Sequence, residues 1–312
     1  MSTGDGRNSA GPAVSPDEWT SQVATTEEVV DPAAVRAVAA LFDDGLATPA
    51  PGDPLPPMWH WAALSDWTAS GRIAADGHPV RGGFLPPIDL PRRMFAGGEV
   101  VLHAPLTVGE TIRRESVVDS VVEKKGRTGT LVVVTVSTRI FGAAGRLAVA
   151  ERQNLIYRAA GASSSRPAVQ PAAELLPIGP PLHRVDDWTW EFATDPTLLM
   201  RFSAATSNAH RIHYDWPYAT HVEGYPGLVV HGPLMTMALA ETLRLQGISG
   251  RIATLRHRNL KPLFCAEPAM LRRTHAEGDL LTVGLFGRGE SDPCVSLEVE
   301  LAPASTERSR SL

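Results

Sequence analysis

The segment between Gly232 and Gly247 constrains the fold of this chain more than any other. Its letters, GPLMTMALAETLRLQG, are apolar on nearly every side of a helix. A glycine and a proline at the start and a glycine at the end are typical helix boundaries. Because a helix that is apolar all round has no face suited to solvent, other elements must enclose it. The sequence therefore predicts a central helix wrapped by a sheet.

Strand-like stretches occur in both halves of the chain. Alternation such as Val-Thr-Val-Ser-Thr at residues 134–138 is typical of a strand with one buried face. The turn Glu-Lys-Lys-Gly-Arg at residues 123–127 predicts a hairpin between two antiparallel strands. The predicted strands are residues 130–141, 148–157, 280–286 and 295–301.

A short internal repeat relates the two halves. The pattern Pro-Leu-x-x-small-Glu begins at Pro105 and again at Pro262, and paired arginines follow each copy. A match this short can arise by chance, but both copies precede strand-like stretches. The repeat indicates two units of one architecture.

A segment rich in Ala, Ser and Pro, residues 159–181, is typical of a linker. It separates an N-terminal unit, residues 17–158, from a C-terminal unit, residues 182–302. The polar stretches outside these units are expected to be frayed tails, and the first of them reads neither as a signal peptide nor as an anchor.

One enclosed helix wrapped by an antiparallel sheet, present twice, describes an α+β fold of the double hot-dog type. The first unit's counterpart of the central helix is expected to begin near Met58. The two sheets could pair within one chain as they would in a dimer. The sequence therefore leaves the oligomeric state open, a homodimer included.

The composition narrows the class of function. A net charge of −5 argues against a surface for nucleic acid. Cys265 and Cys294 are too few for a disulfide framework or a thiolate metal site, which fits a reducing cytoplasm. No run of about 18 apolar residues occurs, so no membrane span is expected. Neither a cofactor nor a metal is expected.

The densest group of polar, chemically capable side chains lies between two predicted helices. The first helix has Thr194 or Asp195 as its cap and Pro196 in its first turn, and should end near Thr206. The loop at residues 207–215 follows it, and a Gly-rich approach then leads to the central helix. Loops held by a rigid scaffold often carry catalysis.

Residues 208–213 resemble the signature of MaoC-like (R)-specific enoyl-thioester hydratases, in which four residues separate an acid from a histidine and a His-Gly pair follows at the central helix. Residues 202–215, 55–61 and 90–98 resemble more closely the double hot-dog 3-hydroxyacyl-thioester dehydratases and 3-methylfumaryl-CoA (mesaconyl-CoA) hydratases. This resemblance spans most of residues 17–302. The chain departs from the wider family at Asn208, where that family has a carboxylate, so a mechanism with two bases is in doubt.

The resemblance implies a hydro-lyase that adds or removes water at the α,β-double bond of an enoyl-CoA or carrier-bound thioester, such as 3-methylfumaryl-CoA or another short branched enoyl-CoA. We expect His213 to take the proton of the water and Asn208 to orient that water. The N–H of Gly232 at the helix start should stabilise the enolate oxygen. Further residues expected to contact substrate are His231, His210 and Arg211. The first unit lacks this motif and is expected to be a degenerate partner.

Other interpretations stay open. His210 and His213 could form a metal pair, although no third ligand stands out. A hot-dog thioesterase would need a carboxylate on the central helix, where Glu241 is the obvious candidate. A non-catalytic subunit that binds acyl thioesters, in which Asn208 marks lost chemistry, is the third candidate function. Basic residues could meet the phosphates of a CoA or carrier-protein arm, namely Lys124, Lys125, Arg127, Arg92 and Arg93.

Overall fold

The computed structural model describes residues 18–126, 129–159 and 179–303, which form an eleven-stranded antiparallel sheet and four α-helices. The strands are β1 (Ala24–Val29), β2 (Arg92–Leu102), β3 (Thr111–Gly126), β4 (Gly129–Phe141), β5 (Leu147–Arg158), β6 (Leu182–Asp186), β7 (Thr189–Phe192), β8 (Ile252–Asn259), β9 (Ala269–Glu277), β10 (Leu280–Gly287) and β11 (Val295–Leu301). The helices are α1 (Pro32–Phe42), α2 (His60–Ala63), α3 (Pro196–Ala205) and α4 (Gly232–Leu245). No helix in these ranges is long and apolar enough to cross a membrane.

β2 and β8 join the two halves into one sheet. The strand order is β1-β3-β4-β5-β2-β8-β11-β10-β9-β7-β6. β2 pairs with β8 from Gly97–Arg258 to Val101–Thr254, so the sheet of the first half meets that of the second edge to edge. The expected pairing of two sheets within one chain is confirmed. The predicted linker, residues 159–181, lies mostly outside the described residues, and the boundaries of the two units stay a prediction.

α4 is the enclosed central helix that the sequence predicted. Residues 234–243 are all buried, and the helix contacts β2, β10 and β11. Gly247 adopts a φ of 71° and donates its N–H to the carbonyl of Arg244 at 2.9 Å. The N–H of Ile248 donates to the carbonyl of Leu243 at 3.1 Å. This Schellman arrangement ends the helix at the predicted place.

The first half has a single helical turn where the second half has α4. α2 begins at His60, close to the expected start near Met58, and ends at Ala63. The segment that follows, residues 64–91, is rich in Gly, Pro and Asp, which do not propagate a helix. The longer helix of this half is α1, which packs against α2 and α3. At the place where the sequence predicted a counterpart of α4, the first half therefore has only one helical turn.

All four predicted strands are present, as β4, β5, β10 and β11. β3 and β4 pair as far as Gly126 and Gly129, so the predicted hairpin is confirmed. Residues 123–125, which the sequence assigned to the turn, continue β3 instead. The strands are long here because each face of the hairpin carries enough β-branched residues to keep pairing.

The two copies of the internal repeat form the same turn. Glu110 and Glu267 each accept, through a side-chain oxygen, the backbone N–H three residues earlier, at 2.6 and 3.2 Å. The residues before them, Gly109 and Ala266, have φ values of 86° and 66°. These turns lead into β3 and β9. The repeat in the sequence is therefore a repeat in structure.

Candidate active site

α3 leads directly into the loop that carries the predicted catalytic residues. Asp195 caps the helix, since its side chain accepts the N–H of Leu198 at 2.6 Å, and α3 ends at Ala205 as expected. The side-chain oxygen of Asn208 then accepts the backbone N–H of His210 at 3.1 Å. This bond ties the amide oxygen of Asn208 to its own loop, so its NH₂ group is the part available as a donor.

The backbone holds His213 in one tautomer. Its Nδ1 lies 2.7 Å from the carbonyl oxygen of Val229, so Nδ1 carries the hydrogen and Nε2 carries the lone pair. The ring stacks on that of His231, with the centroids 3.6 Å apart. Burial lowers the pKa of His213 to about 4. The ring is therefore neutral near pH 7 and able to accept a proton.

A cleft of about 410 Å³ lies between the two halves of the chain. The structure brings four of the predicted site residues together in its lining, namely Asn208, His210, His213 and Gly232. The opposite wall comes from the first half and includes His78, Arg93, Phe95 and Arg158. Both halves therefore build the site, and the first half contributes more than an enclosing sheet.

Two residues expected to contact substrate do not line this cleft. His231 is 0% exposed, and its Nε2 lies 2.9 Å from Oγ of Ser203, so it supports the ring of His213 from behind. Arg211 hydrogen bonds to Asp215 at 2.7 Å and to the carbonyl of Ala75 at 3.1 Å. Because both side chains have structural partners, we propose no substrate contact for either.

Asp76 and His78 belong to the site although they were not among the predicted residues. Oδ2 of Asp76 lies 3.0 Å from Nδ1 of His78, and its Oδ1 accepts the backbone N–H of His78 at 2.9 Å. The ring of His78 faces that of His210, with the centroids 4.0 Å apart. Burial lowers the pKa of His78 to about 4. Burial raises the pKa of Asp76, but the hydrogen bonds to His78 outweigh it and lower that pKa. A carboxylate–histidine pair therefore faces the loop that carries the predicted catalytic residues.

Asp76, His78 and His210 could also hold a metal ion, since one donor atom of each lies within 4.8 Å of the others. The group does not include His213, so it is not the metal pair considered from the sequence. Nδ1 of His78 already hydrogen bonds to Asp76. The arrangement that these side chains adopt is that of a hydrogen-bonded pair beside a second imidazole.

The start of α4 opens onto the same cleft. A Cβ on Gly232 would lie 2.9 Å from Oδ1 of Asn259 and 3.3 Å from the ring of Phe95, so these side chains would have to shift to admit a larger residue. Both amide atoms of Asn259 are buried and have no hydrogen-bond partner in the part of the chain that is described. Asn259 was not predicted. A helix N-terminus and an unpaired amide thus meet at one point, where they could bind an oxygen atom.

Glu241 lies in the body of α4 and away from the cleft. It is 1% exposed, accepts the indole N–H of Trp59 at 3.0 Å and pairs with Arg244 at 2.8 Å. Burial and the neighbouring Asp44 raise the pKa of Glu241 to about 8. The carboxylate that a thioesterase would need is therefore part of a buried network and does not face the cleft.

Comparison with known proteins gives consistent matches. A family model described as hydroxyacyl-thioester dehydratase type 2 matches residues 58–265. A mesaconyl-C(4)-CoA hydratase from Chloroflexus aurantiacus is 44% identical over 257 residues, which cover 81% of this chain and 88% of the relative. A mitochondrial hydroxyacyl-thioester dehydratase type 2 from Schizosaccharomyces pombe is 26% identical over 238 residues, or 69% of this chain and 76% of the relative.

The fold also has counterparts among solved structures. A Mycobacterium tuberculosis protein described as having a double hotdog fold superposes with a TM-score of 0.54 and 15% identity, over 94% of this chain and 98% of that protein. At this identity the likeness concerns the fold alone. The predicted double hot-dog architecture is confirmed.

Proposed function

Because the chain belongs to the hydroxyacyl-thioester dehydratase type 2 family and is a hydro-lyase acting on acyl thioesters, we propose that its substrate is 3-methylfumaryl-CoA or another short branched enoyl-CoA. The similarity to a mesaconyl-C(4)-CoA hydratase supports this choice, since mesaconyl joined to CoA through C4 is the 3-methylfumaryl group. The choice of CoA over a carrier protein rests on the same relative. Substrate levels would decide whether water is added or removed.

One observation carries the proposed catalytic roles. His213, Asn208 and the N-terminus of α4 at Gly232 line a single cleft, although they come from two separate segments of the second half, the loop at residues 207–215 and the start of α4. A hydratase needs a base, a bound water and a donor for the enolate oxygen within one substrate's reach. The cleft offers a residue for each of these tasks.

His213 is the proposed base. In hydration its Nε2 takes a proton from water while the water oxygen bonds to the β-carbon of the enoyl group. The π electrons move towards the α-carbon and the thioester oxygen, and the imidazolium then delivers its proton to the α-carbon. In dehydration the same ring takes the α-proton and returns it to the departing hydroxyl. Asn208 orients the water through its NH₂ group, because an amide cannot take up a proton.

The enolate oxygen is proposed to lie at the start of α4. The backbone N–H of Gly232 adds the partial positive charge of the helix N-terminus. The side chain of Asn259 lies beside Gly232, and both its Oδ1 and its NH₂ group have no partner among the described residues, so its NH₂ group is the proposed second donor. Donors fixed in advance stabilise charge that develops only in the transition state.

The alternative functions have less support. A thioesterase would use Glu241, which is buried against Trp59 and Arg244. A non-catalytic binding subunit would need no base, whereas the backbone keeps Nε2 of His213 free to accept a proton. The expected cytoplasmic location and homodimer remain proposals, as does the assignment of residues 17–158 to a degenerate unit.

The decisive experiment follows the loss of enoyl-thioester absorbance with 3-methylfumaryl-CoA and crotonyl-CoA. His213→Ala should lower the rate by roughly 10²–10⁴, the usual contribution of a general base. His213→Gln, which keeps most of the volume, should be equally slow, and circular dichroism would show that both variants are folded. His183→Ala is the matched control, since His183 is exposed on β6.

The outcomes separate the candidate functions. Retention of most turnover by both His213 variants would end the assignment of the base. Release of free thiol from a saturated acyl-CoA would indicate a thioesterase. Tight binding of acyl-CoA without any turnover would indicate a binding subunit.

A further inference from the structure

Arg93 is a cation in the cleft wall without a carboxylate partner. No Asp or Glu in the described ranges lies within ion-pair distance of its guanidinium, whose neighbours are Tyr157, Asp76 and Arg81. The adjacent Arg92 differs, because its Nε lies 3.0 Å from Glu223 and its guanidinium lies over the ring of Tyr225. Two consecutive arginines on β2 therefore have different roles, and only Arg93 lines the cleft.

The position of Arg93 places its charge beside the histidines. It pairs across β2 and β5 with Tyr157, and its positive charge lowers the pKa of His78, whose own ring faces His210. Burial lowers the pKa of Arg93, so part of its hydration has been lost. A partly desolvated guanidinium is costly unless an anion pairs with it. In the free protein the guanidinium of Arg93 is therefore partly desolvated and has no paired anion, which favours the binding of an anionic group beside it.

The other cations of the cleft are less suited to this task. Lys261 forms an ion pair with Glu290. Arg158 is the last residue of β5 and lies beside the hydroxyl of Tyr225. Arg93 is the one whose charge acts on both His78 and His210. An anion bound to Arg93 would therefore lie close to the reacting carbons.

The structure of the substrate indicates which of its anionic groups can reach Arg93. The phosphates of CoA are separated from the thioester by the whole pantetheine arm, so they cannot reach a cation beside the catalytic histidines. A carboxylate on the β-carbon lies one bond from the atom that receives water. The planar guanidinium can bind such a carboxylate through two parallel hydrogen bonds.

We propose that Arg93 binds the carboxylate of the acyl group and selects β-carboxylated enoyl thioesters over uncharged ones of the same shape. This inference rests on the proposed function and names the residue that sets its specificity. Bound in this way, the carboxylate fixes the β-carbon relative to His213, so the interaction contributes to orientation as well as to affinity.

The test compares two substrates that differ only in this group. 3-Methylfumaryl-CoA carries the carboxylate, whereas 3-methylcrotonyl-CoA has a methyl group in its place. Arg93→Gln should lower kcat/KM for the first by about 10- to 100-fold, the value of a charge-assisted hydrogen bond, and for the second far less. Arg93→Lys should recover part of the loss. Arg36→Gln, an exposed position on α1, should change neither value.

Binding of saturated analogues makes the test independent of turnover. Wild-type protein should bind 3-methylsuccinyl-CoA more tightly than isovaleryl-CoA in calorimetry, and Arg93→Gln should remove most of that difference. If Arg93→Gln lowers the affinity for both ligands equally, Arg93 has only a structural role. If the variant keeps the wild-type preference for the carboxylated ligand, the proposal is overturned. If neither enoyl-CoA is hydrated, the proposed function fails, while the calorimetric comparison still decides the role of Arg93.

Discussion

His213 is 7% exposed, and the rings that it contacts, those of His210 and His231, are other imidazoles. Burial is the main cause of the lowered pKa of each, to about 4 for His78 and His213, to about 2 for His210, and well below the ordinary value for His231. Neutral rings accept protons and do not repel one another. The histidines of this cluster therefore stay neutral, and so able to act as bases, over a wide pH range.

The pH profile of kcat/KM should report this property. Protonation of the free base abolishes activity, so the acid limb should lie near pH 4, well below the ordinary histidine value of about 6.5. Because these histidines interact, the pH at which activity is lost reflects the titration of the whole cluster and not of one ring. Steady-state rates between pH 4 and 8 check this, with enzyme returned to pH 7 as a control for irreversible loss. A midpoint near 6.5 would contradict a buried base.

At the same scale, sequence reasoning predicted only part of the cleft lining. Asn208 and His213 were predicted because they lie in one continuous string, and Gly232 because it begins a helix, and all three line the cleft. Asp76, His78 and Asn259 lie on segments far away in sequence. The pair Asp76-Gly77 predicts a turn and nothing more, and a single asparagine at the end of a strand, such as Asn259, belongs to no recognisable motif. These three residues come close to the predicted ones only because the two halves of the chain pack against each other.

At the scale of elements, the loop at residues 75–78 packs against the loop at residues 207–215 through its backbone. The N–H of Arg211 donates to the carbonyl of Asp76 at 2.9 Å, and its side chain reaches the carbonyl of Ala75. Gly77 has a φ of 92°, and a Cβ there would lie 1.8 Å from the carbonyl oxygen of Ala209. Only glycine permits this contact.

Gly77→Ala should therefore separate the two loops. A left-handed conformation costs a residue with a side chain about 1–2 kcal/mol, and the clash with Ala209 adds to this. Displacement of His78 and His210 by even 1 Å should lower kcat by roughly 10²-fold. Gly71→Ala, where a Cβ meets nothing within 4 Å, is the matched control. Equal rates for both variants would contradict the importance of the docked loop.

The elements themselves were predictable where the pattern was periodic. Strands β4, β5, β10 and β11 lie where the strand-like stretches predicted them, α4 lies between its predicted glycine boundaries, and the Asp195 cap fixed the start of α3. α1 was missed although Asp31 and Pro32 mark its start and its buried residues recur at helical spacing. The shortness of α2 was also missed, although residues 64–91 are rich in Gly, Pro and Asp, which do not continue a helix.

At the scale of the whole molecule, the junction of the two halves contains another buried histidine. His257 on β8 is 1% exposed, stacks on Phe95 with the centroids 5.2 Å apart, and has no hydrogen bond to either ring nitrogen in the described part of the chain. Burial lowers its pKa to about 4. Protonation of His257 would therefore place an unpaired charge in the interface between the two halves and destabilise that interface.

Stability should fall as the pH decreases below about 6.5. The unfolded chain takes up a proton on each histidine near that pH, whereas native His78, His213 and His257 do so only near pH 4. Each contributes a loss of about 1.4 kcal/mol per pH unit within this window. Glu241, with a pKa raised to about 8, acts in the opposite direction, because its stabilising effect is lost as the pH rises from 4.5.

His257→Phe isolates one contribution to this slope. The phenyl ring keeps the stacking on Phe95 but cannot titrate, so the free energy of unfolding should lose about 1.4 kcal/mol less per pH unit between pH 6.5 and 4.5 than in the wild type. Urea unfolding at several pH values measures the slope, and any packing cost appears equally at every pH. His183→Phe, at an exposed position, should leave the slope unchanged. If His257→Phe also leaves it unchanged, the native protein must already protonate this ring, and the junction between the halves must admit water.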